Sequence, residues 1–267
     1  MTAPTTPTTP TTPTTATAPA TATATRALYV YGITPPDARP PRSTGVAGAP
    51  VSLLRASGLC AAVSDAPERL RPRRRDLVAH QEVLAELAAQ GPVLPMRFAM
   101  VSPDADALRA RLRDGHRDLT DQLDAVRDRV EMNLKGTVVP GYFAELLRRD
   151  ERLRALAART RRRPGYQANV RLGEALAAGV RAEARRAARQ VLTRLTPLAV
   201  RTAGGEVDDD QVLSVSFLLR AADERRFLDA VAEQARALGD RLALSVTGPL
   251  PCYSFVDAGP AAATPGR

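Results

Sequence analysis

The chain has 267 residues, long enough for one large or two small domains at about 100–200 residues per domain. Lys+Arg outnumber Asp+Glu by 38 to 29, a formal charge of +9, yet aromatics are only 4% and Trp is absent, so base-stacking platforms are scarce. Two cysteines, Cys60 and Cys252, and two histidines, His80 and His116, exclude a disulfide scaffold and a His-rich metal site. Of the basic residues only Lys135 is a lysine, and the rest are arginines. With heavy Ala and Pro use, that points to GC-rich coding bias at surface positions.

Residues 1–25 are almost pure Thr, Pro and Ala, carry no charge and read as a disordered tail. They lack the basic and apolar regions of a signal peptide. No apolar run reaches the roughly 18 residues a membrane span needs. The reading is of a cytoplasmic protein. Residues 258–267 are again Ala/Pro/Gly-rich and read as a flexible tail.

Arg26–Ile33 is rich in β-formers and ends at the breaker Thr34-Pro35-Pro36. Val51–Leu54 and Leu59–Ser64 predict a hairpin turning near Gly58. Leu77, Val83, Leu84 and Leu87 predict a helix over 76–89, closed by Gly91-Pro92. Val93–Phe98 reads as a strand that Pro95 confines to an edge or bulge. Ser102-Pro103-Asp104 opens a helix, Pro at its first position, running to about Val126. Arg129–Gly136 alternates Val130, Met132 and Leu134 with Glu131, Asn133 and Lys135, the pattern of a half-buried strand.

Two long helices follow. Phe143, Leu146, Leu147, Leu153 and Leu156 mark the first, and Arg161–Gly165 breaks it. Leu172, Leu176, Val180, Ala184, Ala187, Val191 and Leu195 mark the second, which Pro197 stops. Strands over 198–202, 211–219 and 242–246 and a helix over 223–239 complete the pattern, before Gly248–Pro251 turns into Tyr253–Val256. The expected class is α+β in two domains. Residues 26–140 form a ferredoxin-like unit with helices on one face of a mainly antiparallel sheet. Residues 141–257 form a long helical pair plus a small antiparallel sheet.

The charge is uneven. Residues 142–200 hold 14 basic and 5 acidic groups, whereas residues 201–267 hold 7 and 10. On the second long helix Arg181, Arg185 and Arg189 form an i, i+4 row, a repulsion of about 0.2–0.5 kcal/mol per pair. An acidic partner would relieve it. Asp208, Asp209 and Asp210 of the same chain, an acidic protein surface and a nucleic-acid backbone are the alternatives, beside a plainly solvated face.

No phosphate loop, dinucleotide fingerprint or nucleophile elbow occurs. His80 and Cys60 fall in apolar elements, His116 in a charged helix, and Cys252 has no neighbouring base. No constellation of catalytic, cofactor or metal residues emerges, and the residues point to a binding protein.

The segments Leu28–Ile33, Leu59–Ser64, His80–Val83, Val93–Phe98, Glu131–Lys135 and Gly248–Val256, in this order, resemble the gas vesicle accessory proteins GvpF and GvpL over about residues 26–257. The chain departs from that pattern at Gln81, at Ala99, where the family tends to carry Gly, and at Cys252, where it tends to carry Pro. The resemblance implies two α+β domains and a non-enzymatic, cytoplasmic, vesicle-associated assembly or nucleation factor without cofactor, metal, small-molecule substrate or membrane. Its implied partners are the small hydrophobic shell protein GvpA and other accessory proteins. The alternative is nucleic-acid binding through the Arg-rich helices. Candidate contact residues are Arg97, Arg181, Arg185, Arg189, Tyr253 and Phe255, with the Pro95 strand and Tyr253–Val256 as candidate sheet edges.

Overall fold

The computed structural model describes residues 26–139, 141–208 and 211–257. The tails expected over 1–25 and 258–267 lie outside the described residues. Two antiparallel sheets organise the chain. In the first, β1 (Leu28–Thr34) is flanked on one side by β3 (Leu59–Asp65) and then β2 (Ser52–Ala56), and on the other by the two-residue strands β4 (Leu94–Pro95) and β5 (Val101–Ser102). The β2–β3 hairpin turns at Ser57 and Gly58, with φ of 51° and 72°. Two consecutive left-handed residues match the right-handed twist of the strands, and Gly takes this conformation at no steric cost.

The first sheet is covered on both faces. Tyr29, Tyr31 and Ala62 pack against Val83, Leu84 and Leu87 of α1 (Arg74–Ala88). Val30, Ala61 and Val63 pack against Leu108 and Leu112 of α2 (Ala105–Asp114) and Leu123 and Val126 of α3 (His116–Val126). Helices on one face were expected. The strands instead carry large apolar groups on both sides, and each side requires cover. The helix expected over 103–126 is broken at Gly115, the residue between α2 and α3. Asp104, rather than a Pro103 first turn, starts α2, its Oδ1 accepting the Ala107 N–H at 2.7 Å.

The strand at 129–137, β6, departs from expectation. It sits inside the second sheet, in the order β7 (Arg201–Gly204), β8 (Gln211–Arg220), β6, β9 (Ala243–Leu250). That sheet therefore takes one strand from the N-terminal side of the boundary expected at 140/141. Alternation in β6 and β8 was legible, but alternation does not encode which strand pairs with which. Val130, Met132 and Leu134 oppose Leu219, Phe217 and Val215 and form the apolar face. The helices α6 (Tyr166–Leu195) and α7 (Glu224–Leu238) cover it through Ala184, Ala187, Val191, Leu195, Phe227 and Val231. Phe217 and Phe227 meet with ring centroids 5.0 Å apart.

The first of the two expected long helices is two, α4 (Tyr142–Arg149) and α5 (Glu151–Arg162), because Asp150 caps α5 by accepting the Arg152 and Leu153 N–H groups at 2.9 and 3.1 Å. Both lie on the N-terminal half of α6. Gly179 permits the approach: a Cβ there would stand 2.9 Å from Leu146 Cδ2 and 3.2 Å from Leu153 Cδ1.

The two halves share a core. Leu218 of β8, Cys252 and Phe255 join the cluster formed by the first sheet with α2 and α3.

Candidate protein-interaction surfaces

His80 and both cysteines are buried in the fold, whereas His116 is exposed. His80 of α1 is 3% exposed. Its Nδ1 lies 2.9 Å from Tyr29 Oη and its Nε2 lies 3.2 Å from the Met96 carbonyl. Tyr29 Oη also accepts the Ala99 N–H at 3.2 Å. With Nε2–H donating to Met96 O, Nδ1 accepts from Tyr29, and a neutral imidazole satisfies every group. Burial holds its pKa below the ordinary histidine value. Tyr31 Oη, adjacent, bonds Ser64 Oγ at 2.9 Å and accepts the Val46 N–H at 2.8 Å. Burial pushes both tyrosines up.

Cys60 and Cys252 are free, buried thiols. Burial raises Cys60, while burial and the nearby Glu131 push Cys252 up to about 12. The thiolate is the reactive form, so neither is poised as a nucleophile. Among the described residues no group of three or more His, Cys, Asp or Glu converges as a metal cluster would.

The polar face of β6 holds a group that sequence reasoning missed. Glu131 is 3% exposed. Its two oxygens accept the Ser254 N–H at 2.8 Å and the Ser254 hydroxyl at 2.7 Å. Ser254 Oγ lies 3.1 Å from Ser216 Oγ, which also accepts from Asn133 Nδ2 at 3.1 Å. A buried carboxylate is tolerated when charge-assisted donors surround it. Here it anchors the C-terminal segment onto the sheet. The available signal was its place on the polar side of the alternation, together with a Ser between aromatic Tyr253 and Phe255.

That segment is a 3-10 turn over Tyr253–Phe255, so it is not the sheet edge expected there. Phe255 is 8% exposed, with the Arg201 guanidinium 5.7 Å from its ring centroid. Tyr253 is half-buried against the Tyr29–Tyr31 cluster, and burial and Glu131 push its hydroxyl up to about 12. Phe255 is a core residue and Tyr253 a partly covered one, because the Glu131 anchor draws the turn inward. The Pro95 strand is an edge, as expected, but Leu94, Pro95 and Met96 are buried.

The arginine candidates are exposed. Arg97 follows β4, and Arg181, Arg185 and Arg189 line α6 on the side away from Ala184, Ala187 and Val191. No ion pair among the described residues engages them. Asp208, one expected partner, instead accepts from Gln211 Nε2 at 2.9 Å, and Asp209 and Asp210 lie outside the described residues. Two adjoining clefts border the C-terminal end of α1. One, of about 530 Å³, has apolar walls that include Ala88, Val93, Val130, Pro249 and Leu250. The other, of about 700 Å³, carries mixed charge from Asp37, Arg39, Glu86 and Arg127. Glu86 straps its loop to α1 by accepting the Arg42 and Ser43 N–H groups at 2.7 and 3.0 Å, and those bonds hold its pKa below the ordinary value.

The family described as gas vesicle synthesis protein GvpL/GvpF matches residues 27–257. Gas vesicle protein F of Streptomyces sp. (strain CB03234) is 37% identical over 236 residues, 86% of this chain and 99% of that protein. Gas vesicle protein F1 of Halobacterium salinarum is 27% identical over 241 residues, 87% of this chain and 94% of that one. The crystal structure of GvpF from Anabaena sp. PCC7120 superposes with a TM-score of 0.73 at 20% identity, covering 89% of this chain and all of the other. GvpF from Microcystis aeruginosa superposes with a TM-score of 0.69, covering 86% and 99%. Both share the fold.

Proposed function

The chain belongs to the GvpL/GvpF family of gas vesicle synthesis proteins, and on that premise we propose that it is a non-enzymatic assembly factor for gas vesicles. It binds the small hydrophobic shell protein GvpA, other accessory proteins, or both, in the cytoplasm beside the growing vesicle. The observation that carries the reading is the family match across residues 27–257. A shell subunit with a large apolar face aggregates unless that face is covered. The apolar cleft between α1 and β9, and the outer strands β2 and β9, offer the groove and sheet edges by which such a face is held. Arg181, Arg185 and Arg189 form a second contact surface, suited to acidic protein segments. Among the described residues no helix is long and apolar enough to cross a membrane.

Affinity-tagged full chain co-expressed with the shell subunit tests the reading. The subunit is expected to co-purify under native conditions, with a known interacting pair as positive control. Its absence from the eluate while the control pair is recovered would overturn direct binding. Nucleic-acid binding, the other reading of the charge, predicts affinity for DNA or RNA that falls steeply with salt.

A further inference from the structure

We propose that the tip of the α5–α6 hairpin is a docking site for an acidic protein segment carrying an apolar side chain between its carboxylates; this rests on the reading of the chain as a binding protein. Residues 152–173 hold seven arginines and no acidic residue. None of the seven is engaged by an ion pair among the described residues. A cleft of about 500 Å³ opens between the end of α5 and the start of α6. Leu156, Thr160 and Ala168 form its floor, and the guanidinium-bearing residues Arg159, Arg162, Arg163 and Arg171 surround it.

The helix ends explain only part of this. Arg159, Arg161 and Arg162 fall in the last turn of α5, where cations offset the partial negative charge of the terminus. Arg163 and Arg171 lie outside that turn. The start of α6 has neither a side-chain cap nor an acidic residue in its first turn, so its positive end adds to the arginines. Like charges gathered at one tip repel, and carboxylates of a partner supply the missing compensation. Leu156 and Ala168 in the cleft call for an apolar side chain between those carboxylates.

A nucleic-acid backbone fits less well. It would have to continue from Arg171 to Arg181, about 15 Å along α6 at 1.5 Å per residue. Helical periodicity puts exposed Glu174 on the same stripe, where its carboxylate repels a continuous polyanion. A short acidic peptide seated at the tip ends before it.

The test uses the full chain and a fluorescein-labelled probe peptide, Gly-Glu-Glu-Leu-Glu-Glu-Leu-Gly, titrated by anisotropy at low salt. A Gln-for-Glu counterpart and a short DNA duplex are the comparison ligands. The tip variant is R159E with R163E. R73E with R74E, exposed positions at the start of α1, matches it in charge. Circular dichroism verifies that both variants fold. The acidic peptide is expected to bind and the Gln counterpart to fail. The tip variant should weaken binding about tenfold or more, and the matched variant less than about twofold. No binding of the acidic peptide, equal binding by the tip variant, or a duplex that outcompetes the peptide at the tip would each overturn the proposal. So would self-association of the chain abolished by the same variant, which would make a second copy the occupant. If the peptide fails while the shell subunit still co-purifies, the docking site falls and the assembly reading stands.

Discussion

Replacing Glu131 by Gln should release the C-terminal turn from the second sheet. In the native chain the carboxylate accepts two bonds from Ser254 at 2.8 and 2.7 Å, and it is almost wholly buried. Hydrogen bonds to a charged group contribute about 1.5–3 kcal/mol each, and a buried donor left unpaired costs about 1–3 kcal/mol. The amide can accept one bond but presents its NH2 where the second donor points. The expected loss is about 2–4 kcal/mol, smaller than the sum because the bonds share one anchor. At roughly 2–4 °C per kcal/mol for a chain of this size, Tm should fall by about 4–16 °C. Urea denaturation gives the free energy, and amide exchange over 252–257 gives the local effect. Ser254→Ala with Glu131→Gln closes a double-mutant cycle whose coupling should be at least about 1 kcal/mol. A stability within about 0.5 kcal/mol of the parent, with unchanged exchange in the turn, would refute the anchor.

Three further outcomes follow from the same geometry. Burial lowers the pKa of His80, so below about pH 6.5 the unfolded chain binds the extra proton first. His80 thus contributes stability that is complete above that pH and lost as pH falls through the window between the unfolded and folded values. Tm measured from pH 7 to pH 5 should drop more steeply for the parent than for His80→Gln, and parallel curves would contradict the neutral tautomer. Ala99 has φ of 71°, in the left-handed region that favours Gly. Ala99→Gly should raise stability by about 0.5–1 kcal/mol in urea titrations, and a loss of that size would count against strain there. Gly179→Val should cost about 1–3 kcal/mol by driving α4 and α5 from α6, with helical content by circular dichroism lowered in step.

Sequence patterns revealed elements better than their partners. The alternation from Val130 to Lys135 placed β6 and its two faces correctly, and the apolar row from Val180 to Leu195 placed the buried side of α6. Sheet membership stayed hidden, since β6 pairs with strands more than 70 residues further along the chain and period-two patterning is blind to that choice. Helix breaks at Gly115 and Asp150 were masked by apolar spacing that continues across them. Among the candidate contacts, the exposure of the arginines was legible because charge keeps a side chain in solvent. Phe255 was not, because its burial depends on Glu131 gripping Ser254, a contact between residues 123 positions apart.

In the proposed role, the chain keeps a hydrophobic gas vesicle shell subunit from aggregating by binding it. Light scattering and sedimentation of the purified shell subunit, diluted from denaturant with and without the full chain, test this directly. The subunit is expected to stay in the supernatant and to co-elute with the chain on size exclusion. Equal sedimentation with and without the chain, with no shared elution peak, would contradict it.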